Sequence, residues 1–426
     1  MSTLQAEDHK NIWHPFSPIV GEPPIVIKSA KGIYLVTEDG KKIIDGISSW
    51  WVNIHGHSHP AIAEAIYKQA KELEHVIFAG FTHPPAIELS QKVLSILPSS
   101  QSKIFFSDNG STAVEVALKM AIQYWHNKGT PKKKVIAIEG AYHGDTFGSM
   151  SVGDRGLFTD PFKNHLFDSE FIPFPDGKND EAVISKFKQH VKANDVFAFI
   201  YEPLVQGAAG MRMYSASLLS LLLKIAKDHN VLCIADEVFT GFGRTGRLFA
   251  SDHLEFQPDI VAISKGLTGG TMALGITTCT EEIFQAFTSE EITKTFFHGH
   301  SFTANPVACA SANASFDLLM TAECNAQIRM ISEAQQKFVN KHKQYPLLSD
   351  VRSRGTILAL EIKTGVSTSY TNTLKYDIYK FFMNRGILLR PLGNIVYFLP
   401  SYVFTADEIE LVHKAIEDFL EFLQRR

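Results

Sequence analysis

The stretch "VLCIADEVFTGFGRTG", Val231 to Gly246, carries Gly241, Gly243 and Gly246 in the spacing G-x-G-x-x-G shortly after an apolar run. A dinucleotide-binding turn needs those glycines directly at the strand end and opening a helix, so that a pyrophosphate meets the free amides of the helix N-terminus. Here Glu237 to Thr240 intervene, and the following "RTGRLFASDHLEF" has no helical periodicity. The stretch therefore reads as a strand, "VLCIAD", ending on the carboxylate of Asp236 and followed by a glycine-punctuated loop. Hydride transfer with a nicotinamide cofactor is the weakest reading of it.

Outward from that strand, between about Lys103 and Thr280, short apolar runs ("IFF", "VIAI", "VFAFI", "IVAIS", "GITTC") alternate with amphipathic segments such as "TAVEVALKMAIQYW" and "SLLSLLLKIAKDHN". Near-continuous apolar strands separated by helices predict an α/β fold with a parallel sheet covered on both faces. The first hundred residues are mixed, with a hairpin signal at Asp39 and Gly40 and two Pro-initiated helices. From about Met330 a second α/β unit follows. The expected division is an N-terminal segment, 1–60, that joins a C-terminal small domain, 326–426, around a large domain, 61–325.

The chain is 426 residues long and 45% hydrophobic, enough for a large core, with a formal net charge of -4 that offers no basic surface for nucleic acid. Cys233, Cys279, Cys309 and Cys324 are scattered, so neither a zinc site nor a disulfide framework is indicated. The N-terminus lacks an apolar signal region and no run is long enough to span a bilayer. A cytoplasmic protein acting on small molecules is expected.

In a doubly wound sheet, ligands gather beyond the carboxyl ends of the strands. Three candidates fall there. In "FFSDNGSTAVEVALKMA" a strand leads through Asp108 and Asn109 into a helix opening with Gly110 and Ser111, a phosphate cradle without a Walker lysine, although an ordinary capped helix start has the same form. Asp236 ends one strand, and Lys265 follows another and precedes "GLTGG". Each alone suits a solvated loop residue or a cap. Together, a phosphate cradle, a carboxylate for a pyridine nitrogen and an imine-forming amine are what pyridoxal phosphate requires. In "HGHSHP", His55, His57 and His59 could line one face as metal ligands, but Gly56 and Pro60 indicate a turn, and no metal is expected. Trp50 and Trp51 fit a core, the default for aromatic side chains, but adjacent side chains on an extended stretch point opposite ways, which leaves room for at least one to face a cleft.

The segments "DEVFTGFGRTG", "SKGLTGG", "DNGSTAVEVALKMA" and "EGAYHGDTFGSMS" resemble, in order and spacing, the class III pyridoxal-phosphate aminotransferases of fold type I. Further segments, "IWHPF", "DGISSWWVNIHGH", "VQGAAGMRMY", "HGHSFTANP" and "LLRPLGNIVYFLP", are similar to the branch acting in biotin biosynthesis, which aminates 8-amino-7-oxononanoate with S-adenosylmethionine as donor. The resemblance covers the chain from Trp13 to the last helix. It implies a mostly parallel seven-stranded sheet in the large domain, pyridoxal 5'-phosphate as cofactor, and a ping-pong transfer via pyridoxamine phosphate to 7,8-diaminononanoate. It implies that Lys265 bears the cofactor and moves the proton, Asp236 pairs with the pyridinium nitrogen, Gly110 and Ser111 hold the phosphate, and Tyr142 stacks on the ring. Gly299, His300 and Ser301 would reach the phosphate and substrate of a neighbouring subunit in a homodimer, while Phe16, Trp50 and Arg390 would contact substrate and Arg244 would have a structural or pocket-edge role. Phe16 stands where this branch commonly has tyrosine, and Ser301 where threonine is usual. Lysine as donor, or another ω-amine substrate, is the alternative within the class; a non-catalytic binding protein is the alternative outside it.

Overall fold

The computed structural model describes residues 2–17, 23–156, 158–365 and 368–425. Its centre is a seven-stranded sheet, in spatial order Gln101–Ser107, Gly275–Thr280, Ile260–Ile263, Leu232–Asp236, Val196–Tyr201, Lys134–Ile138 and Glu170–Ile172. Leu232–Asp236 lies in the middle, parallel to both neighbours, with Ile234 opposite Ile260 on one side and Ile200 on the other.

Alternation along these strands builds two cores. Ile136, Phe199, Cys233, Ala235 and Val261 point to one face, where they pack with residues of the helices Asp180–Val191 and Ala216–Asp228. Val135, Ala137, Ala198, Ile234 and Ile260 point to the other, beneath the helix Gly110–Asn127. Both faces are covered, which is why the strands read as continuous apolar runs. One strand, Gly275–Thr280, runs antiparallel to its two neighbours. The cause is local: Ser264 to Leu274 holds only one 3₁₀ turn, Lys265–Thr268, too short for the crossover that a parallel return requires.

The chain ends meet in a second body of structure. Ile27–Lys31, Tyr34–Thr37 and Lys42–Asp45 form a sheet completed by Ile387–Leu388 from the C-terminal part. Leu348–Arg354, Ile357–Ile362 and Ile395–Phe398 form an antiparallel sheet packed against the helices Ala322–His342 and Ala406–Gln424. The predicted hairpin at Asp39 and Gly40 is present, with Gly40 at φ 82°. Five described strands escaped the sequence reading: Ile27–Lys31 at the edge of the N-terminal sheet, the two-residue pair Val205–Gln206 and Arg212–Met213, Glu170–Ile172, three residues at a sheet edge, and Leu348–Arg354, whose "SDVRSR" carries a partly exposed, polar pattern. Among the described residues no helix is long and apolar enough to cross a membrane.

Candidate active site

The carboxyl ends of the central strands open on a cleft of about 510 Å³, lined among others by Gly110, Ser111, Tyr142, Asp236, Lys265 and Arg390. Asp236 is buried at the end of its strand, and its carboxylate is held from two sides: His143 Nδ1 lies 2.6 Å from Oδ2, and the Val238 amide donates to Oδ1 at 3.1 Å. His143 is completely buried, and its Nε2 has no protein partner.

Lys265 leaves the neighbouring strand in the left-handed region, at φ 43°, a conformation a lysine adopts only where the surroundings impose it. Its Nζ lies over the Trp51 ring, 4.7 Å from the centroid, with Phe239 on a second side at 5.5 Å. Burial pushes the amine down to about 8; the Asp236 and Glu202 carboxylates oppose that shift and the Arg244 guanidinium adds to it. Room for this turn comes from Gly269 and Gly270, at φ 63° and 83°, where a Cβ on Gly270 would strike the Val52 and Asn53 backbone at 2.9 to 3.0 Å.

The helix Gly110–Asn127 begins at the cleft wall. Asn109 caps it, its side chain accepting from the Thr112 amide at 3.0 Å while its carbonyl takes the Ala113 amide. The amides of Gly110 and Ser111 are left as the helix's free donors, with the positive end of the dipole behind them. Gly144 crosses directly against Ser111, since a Cβ there would lie 2.1 Å from Ser111 Oγ. The Tyr142 phenol donates to Asp145 at 2.9 Å and its amide to Glu202 Oε1 at 3.0 Å.

The mouth of the cleft is aromatic. Phe16 lies 5.6 Å from Trp50 and 5.9 Å from Phe158, whose ring meets Tyr370 at 5.0 Å. Arg390 places its guanidinium 4.9 Å from the Trp50 centroid. The tryptophans sit on a tight turn, Ser48–Trp51, and not on an extended stretch; both line the cleft, Trp50 outward at the mouth and Trp51 buried below Lys265 with its indole nitrogen donating to Tyr397 at 3.1 Å.

Gly299, His300 and Ser301 stand apart. They do not line this cleft; His300 contacts His298 at 3.1 Å and lies 3.7 Å from Asp108, and Ser301 is exposed. Arg244 is fully buried and acts as a brace, donating to the Pro400 carbonyl at 2.8 Å and the Trp51 carbonyl at 3.3 Å. The three histidines of "HGHSHP" serve separate structural ends: His55 bonds the Ser315 carbonyl, His57 pairs with Asp45, and His59 caps the helix Pro60–Glu72. Among the described residues no group of three or more ligating side chains could hold a metal ion.

Several cleft residues were missed, the aromatic Phe158, Phe239 and Tyr370 and, with more bearing on the chemistry, His143 and Glu202. His143 sits inside "EGAYHGDTFGSMS" without a periodic or spacing signal. Glu202 had one: like Asp236 it directly follows an apolar strand, Val196–Tyr201. It is buried in the cleft wall, accepting from the Tyr142 and Gly207 amides, and burial pushes its carboxyl up to about 7.

A family model, aminotransferase class-III, matches residues 16–420. The chain belongs to that family. It is similar to the adenosylmethionine-8-amino-7-oxononanoate aminotransferase of Synechococcus elongatus, 46% identical over 97% of this chain and 99% of the relative, and to that of Corynebacterium glutamicum, 36% identical over 97% of each. A crystal structure of the Methanocaldococcus jannaschii enzyme with the same name superposes with a TM-score of 0.93 at 33% identity, covering 98% of both chains. The omega transaminase of Pseudomonas jessenii, solved in complex with PMP, shares the fold at a TM-score of 0.92 and 24% identity. As a class III aminotransferase, this chain is a fold type I enzyme that uses pyridoxal 5'-phosphate. The residues present fit that group: an amine of depressed pKa, a buried carboxylate and a helix N-terminus line one cleft.

Proposed function

We propose that this class III aminotransferase carries the amino group of S-adenosylmethionine to 8-amino-7-oxononanoate, giving 7,8-diaminononanoate in biotin biosynthesis. The observation that carries the proposal is the convergence of Lys265, Asp236 and Arg390 on one cleft, in a chain so similar to enzymes bearing that name. Pyridoxal 5'-phosphate, when bound, supplies an electrophilic carbonyl and an electron-withdrawing ring. Lys265, lowered to about 8 by burial, is far more often neutral at physiological pH than a solvated lysine. Its amine would hold the cofactor, then carry the proton from the amine-bearing carbon of the donor to the cofactor in the first half-reaction and from the cofactor to the acceptor's carbonyl carbon in the second. Asp236, fixed by His143 and the Val238 amide, would accept the pyridine N–H and keep that nitrogen protonated. Gly110 and Ser111 would cradle the phosphate through their free amides, and Tyr142 would stack on the ring.

Arg390 would take the acceptor's carboxylate in its planar fork, with Trp50 and Phe16 covering the alkyl chain and excluding water. Gly299, His300 and Ser301, which do not line the cleft of their own chain, would complete the cleft of a second copy, so the working unit would be a cytoplasmic homodimer. Support for a covered surface comes from Phe297 and Phe302, 69% and 60% exposed on either side of that segment. The working division would be a large cofactor domain, 61–325, and a small domain of 1–60 with 326–426 closing the cleft mouth. The test is a donor screen with 8-amino-7-oxononanoate as acceptor, with diamine formation followed by mass spectrometry. Product with S-adenosylmethionine is expected; product with lysine alone would replace the donor, and no product with any amine would overturn the proposal.

A further inference from the structure

We propose that Asp45, which lies outside the cleft lining, is the positioning residue that sets the tryptophan turn and through it the affinity for the acceptor; this rests on the reading of Trp50 and Arg390 given above. Asp45 is 2% exposed and ends the strand Lys42–Asp45, lying opposite Leu388 in the strand that leads to Arg390. Its carboxylate accepts four hydrogen bonds: from the Ile47 amide at 3.2 Å, the Ser49 amide at 2.7 Å, the Ser49 hydroxyl at 3.1 Å, and His57 Nε2 at 2.8 Å. His57 is itself pinned by two backbone bonds with Gly32, at 2.7 and 3.0 Å.

These bonds converge on a backbone that side chains ordinarily resist. Ser48, Ser49 and Trp51 all have positive φ, at 50°, 59° and 67°. That sequence of angles lets two adjacent tryptophans diverge, Trp50 to Arg390 and Phe16, Trp51 to Lys265 and Phe239. Other anchors hold the turn's edges: the Ser48 hydroxyl donates to the Leu399 carbonyl at 2.8 Å, and Arg244 holds the Trp51 carbonyl. The central amide, Ser49, is bonded to Asp45. Without that acceptor the turn relaxes toward ordinary φ values and Trp50 leaves Arg390, while Lys265 and Asp236, on other elements, keep their places.

Hydrogen–deuterium exchange and steady-state kinetics on Asp45→Ala and the shape-preserving Asp45→Asn test this. In Asp45→Ala the Ile47 and Ser49 amides should exchange at least about tenfold faster, and KM for the keto acceptor should rise about tenfold with kcat within about threefold. Asp45→Asn, retaining one acceptor oxygen, should fall between the parent and Asp45→Ala, and it carries the test if Asp45→Ala does not fold. The cofactor's visible absorbance should be unchanged in both. Unchanged exchange, or a fall in kcat at constant KM, overturns the proposal. A parent protein that aminates no acceptor while Asp45→Ala still exchanges faster would locate the failure in the functional reading, and the affinity claim would fall with it.

Discussion

The burial of Lys265 comes at a cost to folding. Its pKa falls from the lysine value of 10.5 to about 8 because burial disfavours the ammonium form. Between those two values the unfolded chain holds a proton that the folded chain has released, so this residue's contribution to stability rises with pH from about 8 to 10.5 and is unfavourable below about 8. Cofactor-free Lys265→Met should therefore be more stable than the parent at pH 7, by about 1 to 3 kcal/mol after allowance for partial exposure, in urea denaturation. The same variant should lose transamination and the lysine-linked visible absorbance. If Asp236 pairs with the pyridine nitrogen as proposed, Asp236→Asn should keep the fold and lower kcat by about 100- to 10,000-fold, read in single-turnover kinetics, because that nitrogen would lose its anionic partner. Lys265 and Asp236 were legible as a pair because each ends or follows an apolar strand in the sequence. His143 was not, since a histidine buried behind another side chain leaves no periodic mark, and its role follows only from the 2.6 Å contact.

At the scale of elements, two local devices bring the site together. The helix Gly110–Asn127 owes its start to Asn109 and Thr112, which cap each other reciprocally. Asn109→Ala should cost about 1 kcal/mol of stability by thermal denaturation and weaken inorganic phosphate binding to the cofactor-free protein, measured by calorimetry. The loop after Asp236 is held by Glu237, fully buried and accepting from the Thr240 hydroxyl, the Ser251 hydroxyl and the Ala250 and Ser251 amides. The glycines first met as a dinucleotide fingerprint serve that loop: Gly243 and Gly246 take φ values of 99° and 86°, and the backbone beyond them forms no helix until a short 3₁₀ turn at Ala250–His253. Glu237→Ala should destabilise the protein by about 2 to 4 kcal/mol, since four donors lose their acceptor together. The strand and helix pattern was readable from apolar periodicity. The antiparallel direction of Gly275–Thr280 was not, because direction is set by the length of the connection and not by the composition of the strand.

At the scale of the molecule, the cleft lies where strands of the seven-stranded sheet meet residues from both chain ends: Phe16 and Trp50 from the first, Tyr370 and Arg390 from the second. The sequence showed a second α/β unit after Met330, but its union with the N-terminal segment through Lys42–Asp45 and Ile387–Leu388 involves pairing across more than 300 residues, which no local pattern encodes. The proposed homodimer is tested by mass and by complementation. Sedimentation should give a particle of about 95 kDa, twice the 47.4 kDa chain. Mixing inactive Lys265→Ala with a variant altered at His300 and Ser301 should restore activity through mixed dimers having one intact cleft; no restoration would place both segments in the service of a single chain.

The central claim is that one cleft, built on Lys265 and Asp236, passes an amino group from S-adenosylmethionine to a keto acceptor in two separable halves. The direct measurement follows the visible absorbance of the bound cofactor in the purified protein as the two substrates are added in turn. The band should bleach with S-adenosylmethionine alone and return with 8-amino-7-oxononanoate after the donor has been removed. A band that does not bleach with any amine donor, or that bleaches and is not restored by the acceptor, would contradict the account.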